Sequence, residues 1–265
     1  MELYSQSEGE KPMLPIDTYL IRHGQSGGNA VIHLAKHGDD SGFTDEFLRQ
    51  HSSQWRLTNR GILQAQVTGE WLRKNTNTKF DRYFVSDYLR TKETAALLEL
   101  PNARWQDEFL LRERKFGEID FASGAYKKDS FLKADESNID VCMRVDHIIQ
   151  KLYRECEKER VIIVSHGGVM WAFRTQLEQM SEEQRQELEY SSDPRDRMNN
   201  GQILHYTRRD PATNIITPHL WMRSICPNKP EWSRPEWKQV IPKTHTNEEL
   251  LADVAKYPRI CEIEY

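Results

Sequence analysis

Hydrophobic and polar positions alternate along the first 180 residues in a pattern that predicts strands and helices in turn. Apolar runs of strand length occupy residues 16–21, 80–86 and 161–164. Apolar side chains recur at helical spacing in the segments between and after these runs, at residues 58–72, 88–100, 141–152 and 169–173. Strands that alternate with helices form parallel sheets covered on both faces. We therefore expect an α/β fold, a three-layer α/β/α sandwich with a mostly parallel central sheet.

Three segments interrupt this pattern. Residues 37–54 are polar with scattered aromatic side chains, which indicates an insertion or a mobile loop. Residues 109–137 show little periodicity and are expected to be irregular. The tail, residues 223–265, is rich in proline and tryptophan. We expect residues 1–222 to form the main domain and the tail to pack on it as an extension with little regular structure.

The composition is that of a globular protein with one large domain. The chain has 265 residues, of which 37% are hydrophobic and 29% charged. No apolar run approaches the roughly 18 residues that a membrane span requires, and residues 1–12 lack the apolar segment of a secretory signal. The cysteines lack metal-type spacing, which favours free thiols in a reducing cytoplasm. They are Cys142, Cys156, Cys226 and Cys261.

The charge balance excludes a general nucleic-acid binder. The formal net charge is −4 and the sequence pI is near 6.2, whereas proteins that bind nucleic acids are usually basic. Any anion that this chain binds must therefore meet a local cluster of arginines and histidines that folding brings together.

Two histidines follow buried strands, and each is itself followed by glycine. His23 comes after the run at 16–21, and His166 comes after the run at 161–164. Binding sites in open parallel sheets form at the carboxyl ends of the strands, so both side chains are expected at one crevice. A lone histidine is more often structural than functional, but two such His-Gly pairs favour a site.

The sequence around these histidines resembles the histidine phosphatase superfamily, whose members have the phosphoglycerate mutase-like fold. Similar blocks occur in family order across residues 16–206. They are Arg22-His23-Gly24 with Asn29, Leu57-Thr58 with Gly61, Ser86 with Arg90 and Thr94, Leu111-Arg112-Glu113, Ser137 with Asp140 and Arg144, Ser165-His166-Gly167, and Asn200-Gly201.

The resemblance implies a phosphatase that hydrolyses a phosphate monoester through a phosphohistidine. It assigns His23 as the nucleophile, Glu113 as the general acid and base, and His166 as a further catalytic group. The groups expected to bind phosphate are Arg22, Asn29, Arg90, His166 and Gly167. Arginine suits this role because its planar fork of N–H donors matches phosphate oxygens. The alternatives are surface ion pairs for the arginines and a solvated glutamate for Glu113.

Two departures from the family's mutases favour hydrolysis. Mutases hold the second acidic group of their substrate with an arginine pair, where this chain has Lys127 and Lys128. They also follow the second His-Gly with asparagine, where this chain has Gly168. A mutase-like phosphotransferase and a non-catalytic binder of phosphorylated ligands stay as alternatives.

The sequence also carries expectations about ligands and substrate choice. The chain offers no carboxylate cluster or Cys/His set for a metal, so we expect neither a metal nor another cofactor. The partner is expected to be a small phosphorylated substrate or a phosphoprotein, and a homodimer is an open alternative. Residues 37–54 and 121–133 follow catalytic blocks and are expected at the mouth of the site. The tail is expected to be mainly structural.

Overall fold

The computed structural model of the chain describes residues 13–115 and 136–259. Within these ranges, seven strands form one sheet in the order β3-β2-β4-β1-β5-β6-β7. The strands are β1 (Asp17–Arg22), β2 (Arg82–Val85), β3 (Gln106–Asp107), β4 (Arg160–Ser165), β5 (Ile203–Arg209), β6 (Ile216–Ile225) and β7 (Arg234–Val240). The three apolar runs predicted as strands therefore form β1, β2 and β4.

The sheet is mostly parallel, as predicted. Strands β3, β2, β4 and β1 pair in parallel. Strands β5, β6 and β7 each pair antiparallel with the preceding neighbour, so β6 again runs in the direction of β1. Because β1 and β4 are parallel neighbours, the segments that follow them leave the sheet side by side, at the carboxyl ends of the strands.

Helices connect the strands and cover both faces of the sheet. They are α1 (Gly27–Ala35), α2 (Asp45–Arg49), α3 (Asn59–Asn75), α4 (Leu89–Leu97), α5 (Asn138–Glu155), α6 (Gly167–Leu177), α7 (Glu182–Glu189) and α8 (Asn247–Val254). Thr58 is the N-cap of α3, because its side chain accepts a hydrogen bond from the Gly61 amide.

Alternate side chains of the central strands point into two separate cores. Leu20 of β1 and Ile163 of β4 pack with buried side chains of α5 and α6 on one face. Ile21 of β1 and Val164 of β4 pack with buried side chains of α3 and α4 on the other. This arrangement confirms the three-layer α/β/α sandwich.

The apolar side chains that recur at helical spacing in residues 58–72 are only partly buried in α3. Leu63 is 62% exposed and Val67 is 37% exposed. The buried positions carry mostly small side chains instead: Gly61, Ala65, Thr68, Gly69 and Leu72. The helix lies too close to its neighbours for larger residues. A Cβ atom on Gly69 would lie 2.4 Å from the carbonyl oxygen of Leu98.

The expectation of little regular structure in the tail is wrong, because the end of β6, all of β7 and helix α8 lie in it. Strand β6 runs across residue 222, and β7 pairs with β6 along the edge of the sheet. The seven residues of β7 include Pro235, which suits an edge strand because proline cannot donate to a second neighbour. Residues 223–225 and 234–240 are thus part of the sheet, and the structure describes the tail as far as residue 259.

Residues 37–54 contain helical structure. Helix α2 lies in this segment, and residues Ser52–Gln54 form a 3-10 turn that leads to Trp55. The ring of Phe47 stacks on Trp55 at a centroid distance of 4.8 Å, and Trp55 is buried. The aromatic side chains therefore attach this segment to the main domain.

The remaining expectations concern the cysteines, the irregular segment and membrane-spanning helices. Cys142, Cys156 and Cys226 are free thiols as expected, whereas Cys261 lies outside the described residues. The segment 121–133 also lies outside them, as does most of 109–137. No helix in the described ranges is both long and apolar enough to cross a lipid bilayer.

Gly61→Ala is expected to destabilise the fold. An added Cβ atom would lie 2.1 Å from the carbonyl oxygen of Gln25, so the backbone must move, at a cost of about 1–3 kcal/mol or more. Gly27→Ala is the matched control, since nothing lies within 4 Å of its added Cβ. Urea unfolding of both variants measures the difference. Equal unfolding free energies would contradict this close approach of α3 to the loop after β1.

Candidate active site

The loops after β1 and β4 bring His23 and His166 together, as their positions predicted. Arg22 and Ser165 are paired across the two strands, and the His23 amide donates to the Ser165 carbonyl at 3.0 Å. The two imidazole rings lie 5.2 Å apart between centroids, at an interplanar angle of 66°. Both side chains are buried.

Hydrogen bonds to His23 define its tautomer. Nδ1 lies 2.6 Å from the carbonyl oxygen of Gly24, so Nδ1 carries the proton and donates it to this bond. Nε2 accepts a hydrogen bond from Nε of Arg90 at 3.1 Å. Burial, followed by the charges of Arg90 and Arg22, holds the pKa of His23 well below its usual range. The side chain is therefore a neutral imidazole with a lone pair on Nε2.

The loop that carries His23 is fixed by bonds to two helices. The Gly24 amide donates to Oγ1 of Thr94 on α4 at 3.1 Å, and the Gln25 amide donates to Oε1 of Gln64 on α3 at 2.8 Å. Only glycine fits at position 24, because a Cβ atom there would lie 2.2 Å from the carbonyl oxygen of Gly61. These contacts keep the imidazole in one place.

His166 lies at the N-cap of α6 and is oriented by Ser86. Its Nε2 lies 2.8 Å from the Ser86 hydroxyl, whereas Nδ1 is buried and has no hydrogen-bond partner in the described part of the chain. Burial, the charge of Arg90 and other nearby cations lower the pKa of His166 well below its usual range. A neutral imidazole carries one N–H, and when Nε2 accepts from the Ser86 hydroxyl that proton lies on Nδ1, from which His166 can donate a hydrogen bond.

Arg22 and Arg90 bring two positive charges to His23. Neither forms an ion pair with a carboxylate in the described ranges, so surface ion pairs, the alternative for both, are not observed. Arg90 is 4% exposed and donates to the Ser52 carbonyl at 2.7 Å, while Arg22 donates to the Met198 carbonyl. Burial lowers the pKa of Arg90 to about 10. A buried and a partly buried cation, neither with a carboxylate in ion-pair contact, suit an anionic ligand.

The first turn of α6 adds to this positive environment. Gly167 begins the helix, where unpaired amides and the helix dipole favour anions. A Cβ atom on Gly167 would lie 3.3 Å from Nε of Arg22, so the helix start and this guanidinium are neighbours. The buried Nε of Arg22 has no hydrogen-bond partner among the described residues.

Asn29 lies next to the site and is held by Asn200, a residue whose role the sequence did not indicate. The Asn200 side chain donates to the His23 carbonyl at 3.0 Å and to Oδ1 of Asn29 at 3.2 Å. Asn29 also caps its own helix through Ser26. The signal in the sequence was Asn200-Gly201 before β5, where Gly201 has a φ of +74°.

The Glu113 side chain contacts the first turn of α6, so it is not a freely solvated glutamate. Its Oε1 accepts hydrogen bonds from the amides of Gly168 at 3.2 Å and Arg114 at 3.0 Å. Its charge raises the pKa values of Arg22 and Arg90 against the effect of their burial. Glu113 is therefore electrostatically coupled to both arginines, although the structure gives no direct contact between it and His23.

Two cavities flank these groups. One, of about 490 Å³, is lined by Arg22 and Asn29, and the other, of about 130 Å³, is lined by Glu113 and Gly168. His23 itself is only 1% exposed. The segment 37–54 reaches the site as expected, because the Ser52 carbonyl contacts Arg90.

Acidification is expected to destabilise the protein through its buried histidines. Besides His23 and His166, His205 is buried at the opposite end of the sheet beside Asp17. Burial lowers the pKa of His205 to about 4, against the opposing effect of Asp17. Below pH 6.5 the unfolded chain binds protons that the folded chain excludes, so stability is lost as pH falls.

The expected loss between pH 7 and pH 5 is roughly 2 kcal/mol for each of these histidines. Urea unfolding at both pH values measures it. His205→Asn should reduce the change in unfolding free energy between the two pH values by the contribution of one histidine. His147→Asn, at an exposed position, should leave that change as it is in the wild type. A wild-type stability that stays constant over this range would contradict neutral buried histidines.

Comparison with known protein families identifies the family of the chain. The model of the histidine phosphatase superfamily, branch 1, matches residues 18–194, which is more than half of the chain. The chain belongs to the histidine phosphatase superfamily. The match includes His23, Arg90, Glu113 and His166, whereas Asn200 and strands β5 to β7 lie beyond it.

Solved structures of histidine phosphatase fold support the same architecture. The α-ribazole phosphatase from Shigella flexneri has a TM-score of 0.53 and 21% identity, covering 72% of this chain and 89% of its own. The mycobacterial glucosyl-3-phosphoglycerate phosphatase has a TM-score of 0.52 and 22% identity, covering 72% and 92%. The phosphoserine phosphatase from Entamoeba histolytica has a TM-score of 0.51 and 18% identity, covering 73% and 91%. No curated protein sequence matches the chain significantly.

Proposed function

We propose that this member of the histidine phosphatase superfamily hydrolyses a phosphate monoester through a phosphohistidine on His23. One observation carries the proposal. A neutral imidazole with a fixed tautomer holds its Nε2 lone pair 3.1 Å from the guanidinium of a buried arginine that lacks a carboxylate partner. A phosphoryl group bound by that arginine would lie next to the nucleophilic nitrogen.

In the first step, Nε2 of His23 attacks phosphorus and the bond to the leaving oxygen breaks. Arg22, Arg90 and the Nδ1 proton of His166 bind the phosphoryl oxygens and stabilise the charge of the transition state. The Gly167 amide and the Asn29 side chain are the other proposed phosphate ligands. Glu113 donates a proton to the leaving oxygen, and the products are an alcohol and a phosphohistidine.

In the second step, water attacks phosphorus and the bond to Nε2 breaks. Glu113, now a carboxylate, takes a proton from the water, so inorganic phosphate leaves and the neutral His23 is restored. The amides of Gly168 and Arg114 hold Oε1 of Glu113, which orients the carboxylate for transfer through its other oxygen. Hydrolysis is favoured over transfer to an organic acceptor because Gly168 replaces the asparagine of the family's mutases.

The test is phosphate release from p-nitrophenyl phosphate with no added acceptor and with excess chelator. We expect full activity, because no cluster of three metal-binding side chains occurs in residues 13–115 and 136–259 and Arg22 and Arg90 supply the positive charge. Vanadate should inhibit, since it mimics the five-coordinate transfer state. Activity that chelator removes and a divalent ion restores would contradict the metal-independent mechanism. Turnover that requires an organic acceptor would favour a phosphotransferase.

A further inference from the structure

The cavity of about 490 Å³ beside Arg22 has a wall built by the C-terminal part of the chain. Arg22, Lys36 at the end of α1, and Arg60 on α3 line it together with Lys229 and Trp232. The last two lie between β6 and β7, outside the residues that the family model matches. We call this the basic cavity. Part of the tail, which the sequence predicted to be mainly structural, therefore lines this cavity.

The charges around the basic cavity all have the same sign. Arg22, Lys36, Arg60 and Lys229 are its charged side chains, and no Asp or Glu is among the described residues that line it. Glu231, outside the lining, lies 4.0 Å from the Lys229 ammonium. The whole chain nevertheless has a net charge of −4. Four cations around one concave surface in an acidic protein create a local positive potential that attracts anions.

Hydrogen bonds fix the C-terminal wall of the cavity. The Asn228 side chain donates to the Gln64 carbonyl on α3 at 3.2 Å, and the Cys226 amide donates to the Ser233 hydroxyl at 2.9 Å. The Trp232 amide donates to the Lys229 carbonyl at 2.8 Å. The wall is therefore organised before any ligand binds, which lowers the entropic cost of binding.

The cavity also offers apolar surface for a planar group. Trp232 is half-buried, with the Lys229 ammonium 5.8 Å from its ring. Leu63, which is 62% exposed, lines the same cavity. A volume of about 490 Å³ lies within the usual range for small-molecule sites, roughly 300–1,000 Å³.

From these observations we propose that the basic cavity is a second binding site, for a small organic anion that joins a phosphate to a planar ring. Lys36, Arg60 and Lys229 bind the anionic group, and the ring packs against Trp232 and Leu63. This site lies beside the position of the transferred phosphoryl group, not in it. Because Arg22 borders both, occupancy of the cavity alters the affinity of the phosphate pocket.

The probe is adenosine 5′-(α,β-methylene)diphosphate, which has an adenine ring, phosphate charges and a bridge that phosphatases do not hydrolyse. Isothermal titration calorimetry is done with and without saturating vanadate, which occupies the phosphate pocket. We expect one probe site under both conditions. The Lys36→Gln, Arg60→Gln, Lys229→Gln triple variant should bind about tenfold more weakly or worse, because each lost cation removes a charge-assisted contact.

Two variants serve as checks on that result. Lys158→Gln removes an exposed cation between α5 and β4, at the opposite end of the strands, and should leave binding unchanged. In the wild type, we expect the probe to quench the fluorescence of Trp232, and Trp232→Leu should abolish this quenching. This second variant tests the site even if the triple variant fails to fold. The readout is binding rather than turnover, so it is independent of the proposed hydrolysis. Absent binding, binding that vanadate abolishes, or equal affinity in the charge variants would overturn the proposal.

Discussion

Replacing His23 with alanine is expected to lower kcat by at least about a thousandfold, because the variant lacks the atom that accepts the phosphoryl group. The other groups that bind phosphate stay in place, so binding of inorganic phosphate should persist. The measurement is steady-state hydrolysis of p-nitrophenyl phosphate alongside calorimetry with phosphate. The loss should fall on kcat, with phosphate affinity changed much less.

His147→Ala is the matched control for this variant. His147 is an exposed histidine on α5, and its Nδ1 bonds only to a carbonyl of its own helix in the described structure. Its kinetics should equal those of the wild type. Wild-type kcat in a folded His23→Ala variant would mean that another group attacks phosphorus.

Replacing Arg90 with alanine is expected to lower kcat/KM by roughly 10²–10³, the effect of removing one donor from a transition-state oxyanion. It should weaken vanadate inhibition to a similar degree, because vanadate depends on the same donor. Arg90→Lys should restore only part of the activity, since an ammonium lacks the planar fork. The measurements are kcat/KM and the inhibition constant of vanadate for each variant.

Arg56→Ala provides the control for the loss of an arginine near this helix. Arg56 is exposed and pairs with Glu93 on α4, so its removal should change kcat/KM little. If Arg90→Ala leaves vanadate inhibition unchanged, Arg90 does not bind the phosphoryl group, and its contact with the Ser52 carbonyl is its main role.

The meeting of His23 and His166 was predictable because it depends only on buried strands and their direction. Parallel neighbours place their carboxyl ends at the same end of the sheet, and the apolar runs of β1 and β4 are clear in the sequence. The contact of Arg90 with Ser52 was not predictable. It depends on how an aperiodic segment folds back over the site, and residues 37–54 have no repeating pattern that specifies it.

Two features of the fold were misjudged for separate physical reasons. Leu63 and Val67 have the larger side chains, so the pattern favoured their burial. Close packing of α3 against the Leu98 backbone instead requires small residues such as Gly69. Strand β7 was missed because an edge strand gains its hydrogen bonds from a neighbour, so its own sequence needs only weak alternation and tolerates Pro235.

The central claim, covalent catalysis by His23, is tested most directly by trapping the phosphoenzyme. The enzyme is mixed with a ³²P-labelled monoester, quenched in alkali within the first turnovers, and digested for mapping. Base-stable, acid-labile label should appear on the peptide that contains His23 and on no other peptide. Label on a different residue, or turnover with no labelled protein at any quench time, would contradict the phosphohistidine mechanism.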